Sequence, residues 1–323
     1  MTKIKALVTG GAGFLGSHLC EYLLKKDWEV LCLDNLSSGS LTNLDQVIDN
    51  PAFHFEKKDI FELEEDCSSL KNIDYVFHLA AIEGEHSSIA APTHFFETNV
   101  IGTVKVLQAI DKTNLKKFVY AASATCYGVP RVPTLENDSL IPVSPSALSK
   151  IQGEQAVFHW SHVYKIESCS LRIFDAYGPR CYSKNSFNNL FGIWMKQKIL
   201  DQPFIMPGDG EQKRDFVYCE DVCRAFYLAA LEGKNTECYN VGSGKPRTLN
   251  ELMSLLKGHP NYLNNLQHTF YNTWADLSKI QYDTNWAPHF SLEKGIEFSL
   301  LEIDSWENAP LWTEDRITEF LSR

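Results

Sequence analysis

The chain lacks three features that would each indicate a particular class of protein. Its nine cysteines contain no C-x-x-C pair and are odd in number, which is typical of reduced thiols rather than of a disulfide framework. No apolar run approaches the roughly 18 residues of a membrane span. Basic residues (30) are outnumbered by acidic residues (41), so the basic face that duplex nucleic acid requires is not expected. The sequence therefore predicts a cytoplasmic protein that binds neither nucleic acid nor membranes.

Two further signals are too weak to carry a prediction. Cys219 and Cys223 are four residues apart, as two metal ligands on a helix could be, but no second pair of His or Cys follows at ligand spacing. The apolar stretch beyond Lys5 is too short for a signal peptide, and Gly10 interrupts it. We therefore expect no metal site and no signal peptide.

Short apolar runs alternate with helical periodicity over residues 1–175. The predicted strands are 4–9, Glu29–Asp34, Phe53–Lys57, Tyr75–Ala80, Lys117–Ala122 and Glu167–Phe174. The predicted helices are Ser17–Lys26, Val100–Thr113 and Ser146–Val163. This alternation predicts an α/β fold with a Rossmann-type, doubly wound parallel sheet.

After residue 176 the alternation weakens, and Pro, Gly and Asn become frequent. Short strands are predicted at Phe204–Met206, Phe216–Tyr218 and Tyr239–Val241, and a last helix is predicted from Thr313. Residues 176–323 are therefore interpreted as a smaller C-terminal, substrate-binding lobe with segments that return to the first domain.

A glycine-rich turn lies between the first strand and the first helix. Gly10, Gly13 and Gly16 form a G-x-x-G-x-x-G pattern with Phe14 and Leu15 inside it. Such a turn lets a pyrophosphate approach the backbone closely, and the helix N-terminus supplies N–H donors and a positive dipole. In this strand–turn–helix context the pattern predicts a dinucleotide site.

An acidic residue follows at the end of the next strand. Asp34, 18 residues after Gly16, can accept hydrogen bonds from both ribose hydroxyls and would repel a 2′-phosphate. The predicted cofactor is therefore NAD rather than NADP. The alternative is that Asp34 only caps the turn together with Asn35.

Taken in order, these and later motifs resemble the extended short-chain dehydrogenase/reductase family, in particular nucleotide-sugar epimerases and dehydratases related to UDP-glucose 4-epimerase. The resemblance covers nearly the whole chain. Beyond the glycine turn it rests on Leu33–Gly39, Asp59-Ile60, His78–Ala81, Asn99–Thr103, Tyr127-Gly128, Tyr177–Arg180, Gly208–Gly210, Arg214–Tyr218, Asn240–Gly244, Ala275–Lys279 and Trp286–Pro288.

The resemblance implies a set of cofactor contacts and a homodimer. Besides Gly10, Gly13, Gly16 and Asp34, the residues that would bind NAD are Phe14, Leu15, Asn35, Ser38, Gly39, Asp59, Ile60, Leu79, Ala80, Ala81, Asn99 and Lys150. The dimer would form through the helices predicted at Val100–Thr113 and Ser146–Val163.

The resemblance also implies a reaction and the residues that perform it. In this family a hydride leaves sugar C4 for NAD while a base takes the hydroxyl proton. Ser123 would hydrogen-bond the sugar hydroxyl, Lys150 would lend its charge to the catalytic centre, and Arg214 would bind the diphosphate. The further substrate-binding residues implied are Glu83, Thr125 and Asp175.

One catalytic position departs from the family pattern. The family base is a tyrosine four residues before Lys150, where this chain has Ser146. A serine hydroxyl is a poorer acid than a phenol and is several ångströms shorter. Ser146 could position a water in the vacated space, or the chain could be catalytically weakened. Alternatively another residue serves as base, the candidates being Glu83, Glu85, His86, Cys126, Tyr127 and Asp175.

Three smaller departures concern the substrate. Asp175 stands where the family often has Asn, and Leu266 stands where 4-epimerases have a second diphosphate-binding Arg. Ala124-Thr125 replaces the Asp-Glu of the dehydratases, which disfavours a 4,6-dehydratase. The first hypothesis is an NAD-dependent epimerase or dehydrogenase acting through C4 oxidation of a UDP- or GDP-linked hexose. The second is a weakened or inactive protein, with a natural or introduced serine, that binds NAD and a nucleotide sugar.

Overall fold

The computed structural model describes residues 3–65, 67–182, 189–263 and 272–317. Within these ranges the strands are β1 (Lys5–Thr9), β2 (Glu29–Asp34), β3 (Phe53–Lys57), β4 (Tyr75–His78), β5 (Lys117–Ser123), β6 (Ser168–Ile173), β7 (Ala176–Tyr177), β8 (Phe204–Pro207), β9 (Lys213–Arg214), β10 (Val217–Tyr218), β11 (Glu237–Val241), β12 (Arg247–Thr248) and β13 (Pro260–Leu263). The α-helices are α1 (Phe14–Leu24), α2 (Glu85–Ala90), α3 (Pro92–Phe96), α4 (Gly102–Ala109), α5 (Pro145–Tyr164), α6 (Leu190–Ile199), α7 (Cys219–Glu232), α8 (Leu249–Leu255), α9 (Ser278–Thr284) and α10 (Leu292–Leu301).

Seven strands form one parallel sheet in the order β3-β2-β1-β4-β5-β6-β11. The order reverses between β1 and β4, and ligands of open α/β sheets bind at such a switch point, beyond the carboxyl ends of the strands. The predicted Rossmann-type doubly wound sheet is confirmed. In the described part of the chain, no helix combines the length and apolarity needed to cross a membrane.

The burial of β1 explains its continuous apolar sequence. Ala6 and Val8 pack into a core with residues of α1 and α7, whereas Leu7 packs into a second core with residues of α4 and α5. All three side chains are fully buried. A strand covered on both faces needs apolar residues at every position rather than at alternate ones. Truncating Leu7 to Ala would cost roughly 2–5 kcal/mol of stability.

Several predicted boundaries differ from the structure. The first helix begins at Phe14 rather than Ser17, because Gly13 already occupies the N-cap position. The strand predicted to end at Ala80 ends at His78, and the helix predicted to reach Thr113 ends at Ala109 because Ile110 has extended backbone angles. That helix is preceded by a π-helical segment, Glu97–Ile101, which sequence periodicity did not reveal.

The second half of the chain both builds its own core and returns to the sheet. Buried aromatic side chains of this core include Trp194, Trp306 and Trp312. The strand predicted at Tyr239–Val241 is the end of β11, which pairs with β6 as the outer strand of the main sheet. The boundary at residue 175 stays a prediction. The helix predicted from Thr313 is present at 314–317, and its continuation lies outside the described residues.

Candidate active site

The glycine turn has the close geometry that a pyrophosphate site requires. Gly10 adopts a φ of 70°, and a Cβ atom there would lie 2.7 Å from the Ala80 backbone nitrogen. A Cβ atom on Gly16 would collide with the Gly10 carbonyl oxygen. A Cβ atom on Gly13, the N-cap of α1, would meet that same oxygen only at 3.2 Å. Gly10 and Gly16 therefore shape the turn, and the lack of a side chain on Gly13 leaves the helix N-terminus accessible, which fits NAD.

Asp34 links the end of β2 to this turn. Its carboxylate accepts hydrogen bonds from the backbone N–H groups of Ala12 (3.0 Å) and Leu36 (2.7 Å). Burial raises the pKa of Asp34, and these two donors oppose the rise. Because a carboxylate has about four acceptor sites, two remain for ribose hydroxyls. Asn35 donates to Asp59 over 2.7 Å, which brings the ends of β2 and β3 together. The turn-capping role and the predicted ribose-binding role of Asp34 are thus compatible.

A buried hydrogen-bond chain runs through His78 at the end of β4. The Thr103 hydroxyl donates to the Asn99 carbonyl over 2.7 Å, so it accepts from His78 Nε2 at 2.9 Å. His78 Nδ1 is then the acceptor for the Thr9 hydroxyl at 2.7 Å, and Thr9 Oγ1 accepts from Ala80 N at 3.3 Å. Burial and the Lys150 charge lower the pKa of His78 to about 3, so the ring is neutral. Sequence reasoning assigned no role to His78, Thr9 or Thr103.

Asn99 fastens the loop after β4 to α5. Its side-chain oxygen accepts from Ile82 N, and its amide donates to Ile82 O, each over 2.9 Å. The same amide donates to Ser149 Oγ at 2.9 Å, and Ser149 in turn donates to the Ser146 carbonyl at 2.7 Å. The π-helical segment that carries Asn99 aims this side chain inward, as such segments often do at functional sites. Ser149 was missed, since a serine inside a helix has no distinctive sequence signal.

Lys150 is buried one turn after Ser146 on α5. Its ammonium group donates to the Ala121 carbonyl over 2.6 Å and lies 3.9 Å from Glu83 Oε1. Burial lowers the pKa of Lys150, and the Glu83 carboxylate opposes that shift. The lysine side chain is 4% exposed, whereas the Glu83 side chain is 67% exposed, so Glu83 is accessible to a bound ligand. Ser146 itself is buried.

Ser123 ends β5 and begins a 3₁₀ turn. Its hydroxyl accepts hydrogen bonds from the Thr125 hydroxyl (3.0 Å) and backbone nitrogen (3.3 Å). Thr125 thus contacts the predicted catalytic serine directly. Cys126 and Tyr127, which follow Thr125, are poor candidates for the missing base. Burial raises the pKa of Cys126 to about 12 and also raises the pKa of Tyr127. The Tyr127 hydroxyl also donates to Asn240 over 2.7 Å, within a buried structural network.

The substrate-binding candidates lie beyond the carboxyl ends of β4, β5 and β6 and on β9. Asp175 follows β6, and the Thr273 hydroxyl is 3.5 Å from its carboxylate. Arg214 lies opposite Arg247 in the β9–β12 pair. Burial raises the pKa of Glu85, while Arg214 lowers it and Asp175 raises it, so both of these charges lie within electrostatic range of Glu85.

Asp215, the neighbour of Arg214, has a structural task. It is fully buried and accepts from the backbone nitrogens of Ser243 (2.6 Å), Gly244 (3.1 Å) and Ala275 (2.9 Å). Asp215 is therefore a buried structural residue rather than a surface charge. Leu266 lies outside the described residues. Among the residues that the structure describes, no group of three His, Cys, Asp or Glu side chains could hold a metal ion.

A separate cavity of about 360 Å³ lies near the start of α10, and its lining does not overlap the residues around Lys150. Phe216, Phe290 and Leu292 supply apolar walls, and Lys245 and Arg247 supply positive charge. The candidate catalytic residues instead lie at the carboxyl edge of the sheet, where Ser123 ends β5, Glu83 follows β4, and Lys150 on α5 reaches the Ala121 carbonyl.

Comparisons with known proteins agree with this geometry. Residues 6–242 match the NAD dependent epimerase/dehydratase family. The chain is 31% identical over 306 residues to the UDP-glucuronate 4-epimerase of Thermodesulfobacterium geofontis, covering 90% of this chain and 93% of that protein. The structure of Thermotoga maritima UDP-glucose 4-epimerase with UDP-glucose matches with a TM-score of 0.85 at 32% identity, over 93% of this chain and 99% of that one. The structure of Bacillus cereus UDP-glucuronic acid 4-epimerase with UDP-glucuronic acid and NAD matches with a TM-score of 0.84 at 31% identity, over the same shares.

Proposed function

The chain belongs to the NAD-dependent epimerase/dehydratase family, and from this premise we propose that it is an epimerase or dehydrogenase that oxidises C4 of a UDP- or GDP-linked hexose. The glycine turn and Asp34 would hold NAD, which supplies the hydride acceptor when bound. The observation that carries the proposal is the position of Lys150, which donates to the Ala121 carbonyl of β5 and lies 3.9 Å from Glu83.

In this proposal the substrate lies across the carboxyl edge of the sheet. Arg214 would bind the diphosphate, since a guanidinium matches phosphate oxygens in geometry and charge. At the other end, Ser123 would hydrogen-bond the C4 hydroxyl, and its contact with Thr125 would hold the serine oxygen in place. Asp175 would face the sugar from the end of β6.

We assign the proton to Glu83 rather than to Ser146. The C4 hydroxyl would lose its proton to a Glu83 carboxylate oxygen, either directly or through one water, while the nearby Lys150 ammonium offsets the charge that develops on the sugar oxygen. Glu83 is suited to this task because its side chain is largely exposed and yet paired with Lys150. Ser146 is buried, and its main-chain carbonyl accepts a hydrogen bond from the Ser149 hydroxyl.

We further propose a homodimer formed through α4 and α5. Ile101, directly before α4, and Leu148 and Val163 on α5 are exposed apolar side chains. Exposed apolar residues on neighbouring helices are suited to an isologous contact, in which the same surface of each copy is buried. Analytical ultracentrifugation of the wild type and of a Leu148→Glu variant tests this, with a shift to monomer expected for the variant.

The function is tested with a panel of UDP- and GDP-hexoses. Protein loaded with NAD is mixed with each sugar, absorbance at 340 nm is followed, and NMR reports the configuration at C4 and the exchange of its hydrogen. We expect reduction of the cofactor or inversion at C4 with at least one member. Binding without any reduction or inversion across the panel would overturn the enzymatic proposal and favour a binding protein.

A further inference from the structure

In the proposed function, three carboxylates and two cations lie along the site of the nucleotide sugar, from the reacting end to the diphosphate. The loop after β4 carries Glu83 and Glu85, and Asp175 follows β6; β5 lies between these strands. The carboxyl ends of neighbouring parallel strands meet at one edge of a sheet, so these side chains border the same cleft. The cations are Lys150 and Arg214. Before any ligand binds, these five groups sum to one net negative charge.

Each of the two glutamates lies near a different cation. Glu83 Oε1 lies 3.9 Å from Lys150 Nζ, at the reacting end of the site. Glu85 is half-buried and within electrostatic range of Arg214 and Asp175, towards the diphosphate end. Only Gly84 separates them, with a φ of 152° that favours glycine, so the two Cα atoms are at most about 7 Å apart. Under the proposed function, the segment 83–85 would therefore line one side of the sugar.

A bound nucleotide sugar would use both cations. Its diphosphate would take up the Arg214 charge, and Glu83 already faces Lys150. A carboxylate on the hexose would then meet Glu85 and Asp175 as like charges in a partly desolvated cleft, where repulsion is stronger than in water. A neutral hydroxymethyl group or an ammonium group would meet no such repulsion.

We propose that Glu85, together with Asp175, makes this site selective for nucleotide hexoses without a sugar carboxylate and excludes hexuronates. The inference rests on the proposed function and deepens it. It separates the chain, in substrate class, from the similar proteins that are named for UDP-glucuronate, and places it with those that are named for UDP-glucose.

The test is a comparison of binding constants by isothermal titration calorimetry on NAD-loaded protein. UDP-glucose is paired with UDP-glucuronate, and GDP-mannose with GDP-mannuronate, so that each pair differs in the sugar carboxylate. We expect the neutral member of the better-bound pair to bind at least tenfold more tightly to the wild type. In Glu85→Gln the ratio should fall to threefold or less, and in Asp175→Asn it should fall in the same direction. Glu232→Gln, which removes an exposed charge at the end of α7, should keep the wild-type ratio.

The outcomes separate this inference from the function on which it rests. Equal binding of the neutral and acidic sugars by the wild type, or an unchanged ratio in both Glu85→Gln and Asp175→Asn, would overturn the selectivity while leaving a nucleotide-sugar enzyme. Binding of none of the four sugars would overturn the proposed function and the selectivity together. Thermal unfolding of each variant shows whether it is folded before titration, and Asp175→Asn serves if Glu85→Gln does not fold.

Discussion

Glu83 and Lys150 are 67 positions apart in the chain, and their charged groups lie 3.9 Å apart at the carboxyl edge of the sheet. The lysine that the family pairs with a tyrosine is here paired with a carboxylate from the loop after β4. Under the proposed function, this contact would give the proton of the substrate hydroxyl a destination at a site where Ser146 replaces the expected phenol.

Replacing Glu83 by Gln should lower turnover at least a hundredfold, since a positioned acid–base group contributes about 10²–10⁴ to the rate. The dissociation constant for the nucleotide sugar should change less than threefold, because Gln has nearly the same size. The measurement is single-turnover kinetics at 340 nm with calorimetric binding, and Glu232→Gln is the matched control. Turnover within threefold of wild type would show that the proton leaves by another route.

Replacing Ser146 by Tyr should lower turnover, because the phenol would fill space near Lys150 that the Glu83 route leaves for substrate or water. Ser146→Ala should retain turnover within threefold if the serine hydroxyl has no catalytic task. A tenfold loss in Ser146→Ala would instead indicate that Ser146 positions a water. A tenfold gain in Ser146→Tyr, about 1.4 kcal/mol of barrier, would identify the wild-type site as a weakened form of the family mechanism.

Two glycine variants should distinguish a loss of stability of the glycine turn from a loss of access for NAD. Gly13→Ala should lower the free energy of unfolding by only about 1 kcal/mol, the typical cost of Ala at an N-cap. Its NAD affinity should nonetheless fall at least tenfold, because the new methyl group projects where the pyrophosphate would approach. Gly16→Ala should lose both stability and NAD affinity, because its Cβ collides with the Gly10 carbonyl. Urea denaturation and fluorescence titration with NAD measure the two effects. Unimpaired NAD binding by Gly13→Ala would place the cofactor elsewhere.

The neutral state of His78 should make stability depend on pH. The folded-state pKa is about 3, below the ordinary value of about 6.5, so between these pH values the unfolded chain binds a proton that the folded chain does not. Stability is therefore full above pH 6.5 and is lost as pH falls, by about 2 kcal/mol at pH 5. Urea denaturation at pH 7 and pH 5 should show a loss about 2 kcal/mol greater for wild type than for His78→Asn. Equal losses in both proteins would mean that His78 does not control this dependence.

Much of the fold was predictable because its signals are local. The boundaries of β2 and β3 were predicted without error, since each is an extended run bounded by turn residues. The glycine turn was likewise recognisable from spacing alone, because a strand, a tight turn and a helix follow one another within 20 residues. By contrast, the place of β11 beside β6 depends on pairing between residues 68 positions apart, such as Cys169 and Glu237, which no local pattern encodes.

The same distinction between local and long-range signals applies to the candidate site. The sequence alone determined the family and the glycine turn, and it predicts that Ser146 stands where the family has a tyrosine, because each depends on which residues occupy fixed spacings. Only the tertiary structure decided that Glu83 pairs with Lys150, that His78 and Asn99 connect the sheet to α5, and that Cys126 and Tyr127 are too deeply buried to act as bases. These relationships depend on how the ends of parallel strands converge at one edge and on how far each group is removed from water. Both quantities arise from packing between segments that are distant in the chain.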